Sequence, residues 1–139
     1  MKAYLDTSVL LRILLGEHGA FADLAELEEV YSSRLVQTES KRVLHRLAFE
    51  RRIDEQDFAE INLNLDRVLM AVSLVQIDER VLARAEEPFA AALGTLDAIH
   101  LSTALLLRAR PQLSALSFLT HDERLAKAAM ISGFQVYGV

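Results

Sequence analysis

Cysteine is absent, proline occurs only twice, and no apolar run reaches the roughly 18–20 residues of a membrane span. The first absence removes disulfides and thiolate metal sites together, which is compatible with a reducing cytoplasm. The last removes a transmembrane helix, so the chain is expected to be soluble with no membrane partner, and the absence of cysteine makes the cytoplasm its expected compartment. Its opening, MKAYLDTSVLLRILLGEH, could pass for a signal peptide, but Asp6 and Arg12 interrupt the apolar run and no small-residue cleavage site follows. It reads as part of the mature fold. Excess basic charge is missing too. Fifteen Lys and Arg against twenty Asp and Glu give a net charge of −5 and a pI near 5.3. That balance argues against nonspecific binding to nucleic acid through clustered cations, while leaving room for a local basic rim.

What is present is enough apolar material for one domain over residues 1–139. The composition is 52% hydrophobic and 25% charged, with a mean hydropathy of +0.20, as in a compact globular chain. Short apolar runs alternate with helical patterns. Ala3-Tyr4-Leu5 reads as a strand and Val9 to Leu15 as a helix; Val30-Tyr31-Ser32 and Leu35 to Arg51 repeat the pair. A helix follows from an Asp54 cap, with Phe58, Ile61, Leu65, Val68, Leu69 and Val72 along one stripe. Ser73 to Ile77 is β-rich, Asp78 to Glu87 is a helix stopped by Pro88, and Thr95 to Arg110 is a helix ended by Pro111. Leu116 to Leu119, a helix from Glu123 to Ser132 closed by Gly133, and Phe134 to Tyr137 complete the chain. This alternation implies an α/β fold, a three-layer α/β/α sandwich around a mainly parallel sheet.

Four acids stand where a surface acid ordinarily does not. Asp6 and Asp122 each follow a strand and precede a helix, the junctions where open parallel sheets place ligands. Each could equally be a helix N-cap, the role assigned to Asp78 at a similar junction. Glu39 shares a helix face with Val36, Val43 and Leu47, and Asp97 aligns with Leu101, Ala104 and Leu105. A side chain reaching the helix edge or a salt bridge, for Glu39, or first-turn placement behind a Thr95 cap, for Asp97, would also account for them. Four converging carboxylates would repel by roughly several kcal/mol per close pair without a cation. A hard divalent ion, Mg²⁺ or Mn²⁺, resolves the conflict, and a sparse oxygen set leaves room for water and phosphate oxygens. The chemistry implied is phosphodiester hydrolysis.

The motifs that carry these acids are YLDTSVLLRIL, VQTESKRVLHRL, LGTLDAIHLSTAL and FLTHDERLAKAA. In that order and spacing the chain resembles the PIN-domain ribonucleases, specifically the VapC-type toxins of bacterial toxin–antitoxin pairs, nearly end to end. The resemblance implies a metal-dependent endoribonuclease that inhibits growth unless a cognate VapB-type antitoxin silences it. It implies that Asp6, Glu39, Asp97 and Asp122 bind one or two metal ions, Mg²⁺ or Mn²⁺, and position the attacking water on an RNA substrate. Ser8 and Thr120 match hydroxyl positions that support the pocket or touch substrate. A homodimer is usual in the family, and the stripe from Phe58 to Val72 is one candidate contributor.

The remaining signals are weaker. Arg12, Arg34, Lys41, Arg42, Arg46, Arg51 and Arg52 cluster in the first half, most of them on what reads as a solvated helix face. His100 and His121 neighbour Asp97 and Asp122 but are not expected to act in catalysis, because adjacent helical residues point apart. His121-Asp122 resembles the pair of HD-type phosphohydrolases, yet no later Asp completes that set. A haloacid-dehalogenase-like reading needs a second acid two residues after the first, where Ser8 stands. The alternative from another class is a catalytically silent PIN-like module that binds RNA or protein.

Overall fold

The computed structural model describes residues 1–19 and 24–139. Its elements in chain order are β1 (Lys2–Leu5), α1 (Thr7–Leu14), β2 (Glu29–Ser33), α2 (Leu35–Phe49), α3 (Glu55–Met70), β3 (Ser73–Val75), α4 (Glu79–Ala85), α5 (Thr95–Arg108), β4 (Ser117–Leu119), α6 (Glu123–Ile131) and β5 (Val136–Tyr137). Short 3₁₀ turns at Leu24–Glu26 and Pro111–Leu113 were not visible in the apolar periodicity. The five strands form one sheet in the order β3-β2-β1-β4-β5, and every pairing is parallel.

Side-chain alternation along the central strands builds the two helical layers. Ala3, Leu5 and Leu119 face a core that includes Val9, Leu10, Val36, Leu44, Leu65 and Leu69 from α1, α2 and α3. Tyr4 and Phe118 point the other way, into Leu101, Ala104, Leu107, Leu125 and Ala128 from α5 and α6. Ala3, Tyr4 and Leu5 are all fully buried, so β1 is apolar on both faces, as a central parallel strand must be. The α3 stripe faces this first core rather than solvent: Leu65, Leu69 and Val72 are buried, and Phe58, Ile61 and Val68 pack against it. The exposed apolar side chains of α3 are Leu63 and Met70, which lie off the stripe.

Several boundaries differ from the sequence reading by one to a few residues. The helix expected from Thr95 is capped by Gly94 with no side-chain hydrogen bond, and Thr95 is its first helical residue rather than its cap. Asp54 and Asp78 do act as caps, accepting from the amides of Asp57 and Val81.

Strand order places the site. From β1 the chain runs outward through β2 to β3, then returns to the other side of β1 as β4 and β5. The order reverses between β1 and β4, and the carboxyl ends of these two strands open the crevice where such sheets bind ligands. Leu5 pairs with Leu119 at that edge, and Asp6 continues the ladder by donating its amide to the Leu119 carbonyl.

Candidate functional site

Asp6 leaves β1 at the reversal point and is only 5% exposed. As the N-cap of α1 it accepts from the Val9 amide, so the capping reading and the site reading hold together. Two hydroxyls complete its shell. Ser8 Oγ donates to Oδ1 at 2.7 Å and Thr120 Oγ1 donates to Oδ2 at 3.0 Å. Burial raises the Asp6 carboxyl above its ordinary value even though these donors, and the nearby His100, pull the other way. Ser8 and Thr120 also tie in the next strand: Ser8 Oγ accepts from the His121 amide, and Thr120 Oγ1 accepts from the Asp122 amide.

Glu39 projects from α2 with its side chain 19% exposed. Its Oε1 accepts from the Thr7 hydroxyl at 2.6 Å and lies 2.6 Å from Nε2 of His100. Burial opposes its charge, but His100 and Thr7 outweigh that and hold the carboxyl below its ordinary range. Asp122 caps α6, accepting from the Leu125 amide through Oδ1. It lines an open pocket together with Asp97, Glu123, Arg124 and Lys127.

Asp97, in the first turn of α5, ties the set together. Its carboxyl is raised first by burial, then by the negative charges of Asp122, Asp6 and, more weakly, Glu39. The four acids therefore share one electrostatic field. Among the described residues no group of three or more His, Asp or Glu side chains is drawn together tightly enough to hold a metal ion. Asp97 and Asp122 line the open pocket, while Asp6 lies buried and Glu39 half-buried. Their donor chemistry, oxygen only and strongly anionic, is that of a site for a hard divalent cation.

Sequence reasoning gave His100 no direct role in catalysis, and the structure places it against Glu39. Three residues along a helix share a face, so Asp97 and His100 project together from α5. His100 is buried against Glu39. His121 does point elsewhere, its Nδ1 lying 2.6 Å from the Gly138 carbonyl. Arg124 and Lys127 were also missed. They sit two and five residues past Asp122 on α6, and that spacing from the Asp122 cap was the available signal. Of the basic cluster singled out in the first half, Lys41 pairs with Asp66 and Arg12 with Glu17, as on a solvated face.

A PIN-domain family model matches residues 3–130. The chain belongs to the PIN-domain family. Solved structures similar to this PIN domain include PAE2754 from Pyrobaculum aerophilum, at 20% identity and a TM-score of 0.64 over 98% of this chain and 89% of that one. A toxin–antitoxin complex from Klebsiella pneumoniae matches at 20% identity and a TM-score of 0.58, over 90% of this chain and 91% of that one. VapBC2 from Rickettsia felis, bound to a DNA fragment from its promoter, matches at 11% identity and a TM-score of 0.66, over 99% and 98%. At these identities the likeness is one of fold. No curated protein matches the chain. Among the described residues of this PIN domain, no helix is long and apolar enough to cross a membrane.

Proposed function

We propose that this PIN domain is a metal-dependent endoribonuclease toxin that hydrolyses RNA phosphodiester bonds and inhibits growth unless a cognate antitoxin binds it. The observation that carries the reading is that, in a PIN-domain fold, Asp6 and Asp122 stand just past the ends of β1 and β4 at the switch point of the sheet, with Asp97 beside Asp122 and in the field of Asp6 and Glu39. Repulsion among them is relieved by positive charge, and the proposed occupants are one or two Mg²⁺ or Mn²⁺ ions held by Asp6, Glu39, Asp97 and Asp122. Bound there, the metal supplies Lewis-acid charge against a phosphodiester and lowers the pKa of a water.

The chain's own residues supply placement. Ser8, Thr120 and the Val9 amide fix both oxygens of Asp6, so that carboxylate cannot swing away as charge develops beside it. Thr7 and His100 hold one oxygen of Glu39, Oε1. Arg124 and Lys127, on the wall shared with Asp97 and Asp122, offer the cationic contacts that an RNA backbone needs next to so acidic a pocket. The antitoxin assignment is supported by the fold shared with the Klebsiella toxin–antitoxin complex and with VapBC2. A homodimer is part of the same reading.

The test is cleavage of a labelled RNA pool by purified protein with Mg²⁺, with Mn²⁺, with EDTA, and by the Asp97→Asn variant. Discrete products that disappear with EDTA and in the variant support the reading. An absence of cleavage with either ion favours the silent binding module, and products that survive EDTA overturn the metal assignment.

A further inference from the structure

Behind Glu39 lies a chain of hydrogen bonds that a purely structural helix contact does not require. The Ser33 amide donates to the Tyr4 hydroxyl at 3.1 Å, and the Tyr4 oxygen lies 2.7 Å from Nδ1 of His100. On the far side of the ring, Nε2 lies 2.6 Å from Oε1 of Glu39. The carboxylate has no hydrogen to give, so Nε2 carries one and donates it. Tyr4 accepts from the Ser33 amide, and its oxygen meets Nδ1 on the side of the ring opposite Glu39. Nε2 also lies 3.3 Å from the Thr7 hydroxyl, which itself donates to the same Oε1 of Glu39. Burial pushes the Tyr4 phenol well above its ordinary range, so that O–H is always present.

This path sits in the protein interior. Tyr4 and Ser33 are fully buried and His100 is 2% exposed. Replacing a water-filled mouth by fixed dipoles is how a protein orients a charged ligand group before the ligand arrives. The outcome at Glu39 is asymmetric: among the described residues both side-chain hydrogen bonds fall on Oε1, and none falls on Oε2. The ring also couples two acid-bearing helices, since α5 carries Asp97 and His100 while α2 carries Glu39.

We propose that His100 is the positioning residue for Glu39: held by Tyr4 and assisted by Thr7, it occupies Oε1 and leaves Oε2 as the one oxygen of that carboxylate available to a divalent cation. This rests on the metal-binding reading above. Glu39 would accordingly bind through a single oxygen.

The experiment titrates Mn²⁺ into wild-type protein and into His100→Leu, His100→Gln and His100→Asn by calorimetry, with RNA-cleavage kinetics on the same samples. Glutamine can place an amide N–H where Nε2 stands, whereas asparagine is too short to reach Glu39. The expected result is a Mn²⁺ Kd raised about 10–100-fold in His100→Leu, with kcat lowered and KM for RNA unchanged. Glutamine should recover most of the affinity and asparagine little. The Gln and Asn pair keeps the test decisive should the leucine variant fail to fold. Equal affinity for Mn²⁺ in the glutamine and asparagine variants and the wild type overturns the assignment of His100 alone. A wild-type protein that binds no Mn²⁺ overturns the metal reading of the site, and this assignment with it.

Discussion

Thr120 and Asp6 lie 114 positions apart and are joined by a 3.0 Å hydrogen bond from the Thr120 hydroxyl to Oδ2. The same hydroxyl oxygen accepts the Asp122 amide, so one buried side chain orients two of the four acids. Thr120→Val keeps the shape and removes both bonds. The expected cost is about 1–3 kcal/mol of stability, because an already buried carboxylate loses a donor and an amide loses its acceptor. Urea unfolding measures it. Thr120→Ser, which keeps the hydroxyl, should restore most of the loss; a valine variant as stable as wild type would show that water replaces the hydroxyl without penalty.

Gly138 controls the same residue from the other side. Its φ of +104° is a conformation that side chains rarely adopt, and a Cβ there would stand 2.4 Å from the Thr120 carbonyl oxygen. Gly138→Ala must displace the segment after β5, breaking the contact between the Gly138 carbonyl and His121. We expect a loss of about 1–3 kcal/mol, together with reduced RNA cleavage because Thr120 moves with its strand. Thermal unfolding of the variant checks the first part. An unchanged melting temperature would mean that the tail relaxes without disturbing β4.

The layers of this fold were legible because burial on both faces makes β1 a solid apolar run and because the α3 stripe has one period over its whole length. The junction positions of Asp6 and Asp122 were legible for the same reason: they end strands that the apolar pattern marks. His100 was not. Its meaning lies in a contact with Glu39, 61 positions earlier, and in a tyrosine hydroxyl that looks like any aromatic in a core strand. Local periodicity carries no information about such pairings. Gly94 as the cap of α5 was hidden by the Thr beside it, since composition favours a hydroxyl there while the backbone begins its helix one residue earlier. Arg124 and Lys127 stand outside the basic cluster that composition drew attention to, and only the fold brings them to the acidic mouth.

Asp97→Asn should separate stability from function. The Asp97 carboxyl is destabilised first by burial and then by Asp122, Asp6 and Glu39, so removing its charge relieves strain in the metal-free protein. The group is only half-buried, and solvent screening reduces the effect to about 0.5–1 kcal/mol, or a rise of roughly 2–4 °C in Tm near neutral pH. Mn²⁺ should then raise the Tm of the wild type more than that of the variant, because a ligand bound only to the native state stabilises by mass action. Equal shifts would place the ion elsewhere.

Asp97 and Glu39 should respond to pH with opposite signs. Asp97 has a folded pKa above its ordinary 3.8, so the folded state holds the proton more tightly and loses stability as pH rises from about 4 through the raised value. The stabilisation gained by Asp97→Asn therefore grows with pH across that window and vanishes below it. Glu39 is held below its ordinary 4.5 once His100 and Thr7 overcome the effect of burial. Its contribution is fully present above pH 4.5 and disappears as pH falls through the folded value. Glu39→Gln should thus cost about 1–2 kcal/mol at neutral pH, the loss of hydrogen bonds to a charged acceptor, and progressively less in acid. Denaturant unfolding of both variants and the wild type between about pH 3.5 and 7, without added metal, reads the two differences directly. Parallel pH dependences would sink the view that one of these carboxylates is held charged by its neighbours while the other is pressed toward neutrality by the acids it faces.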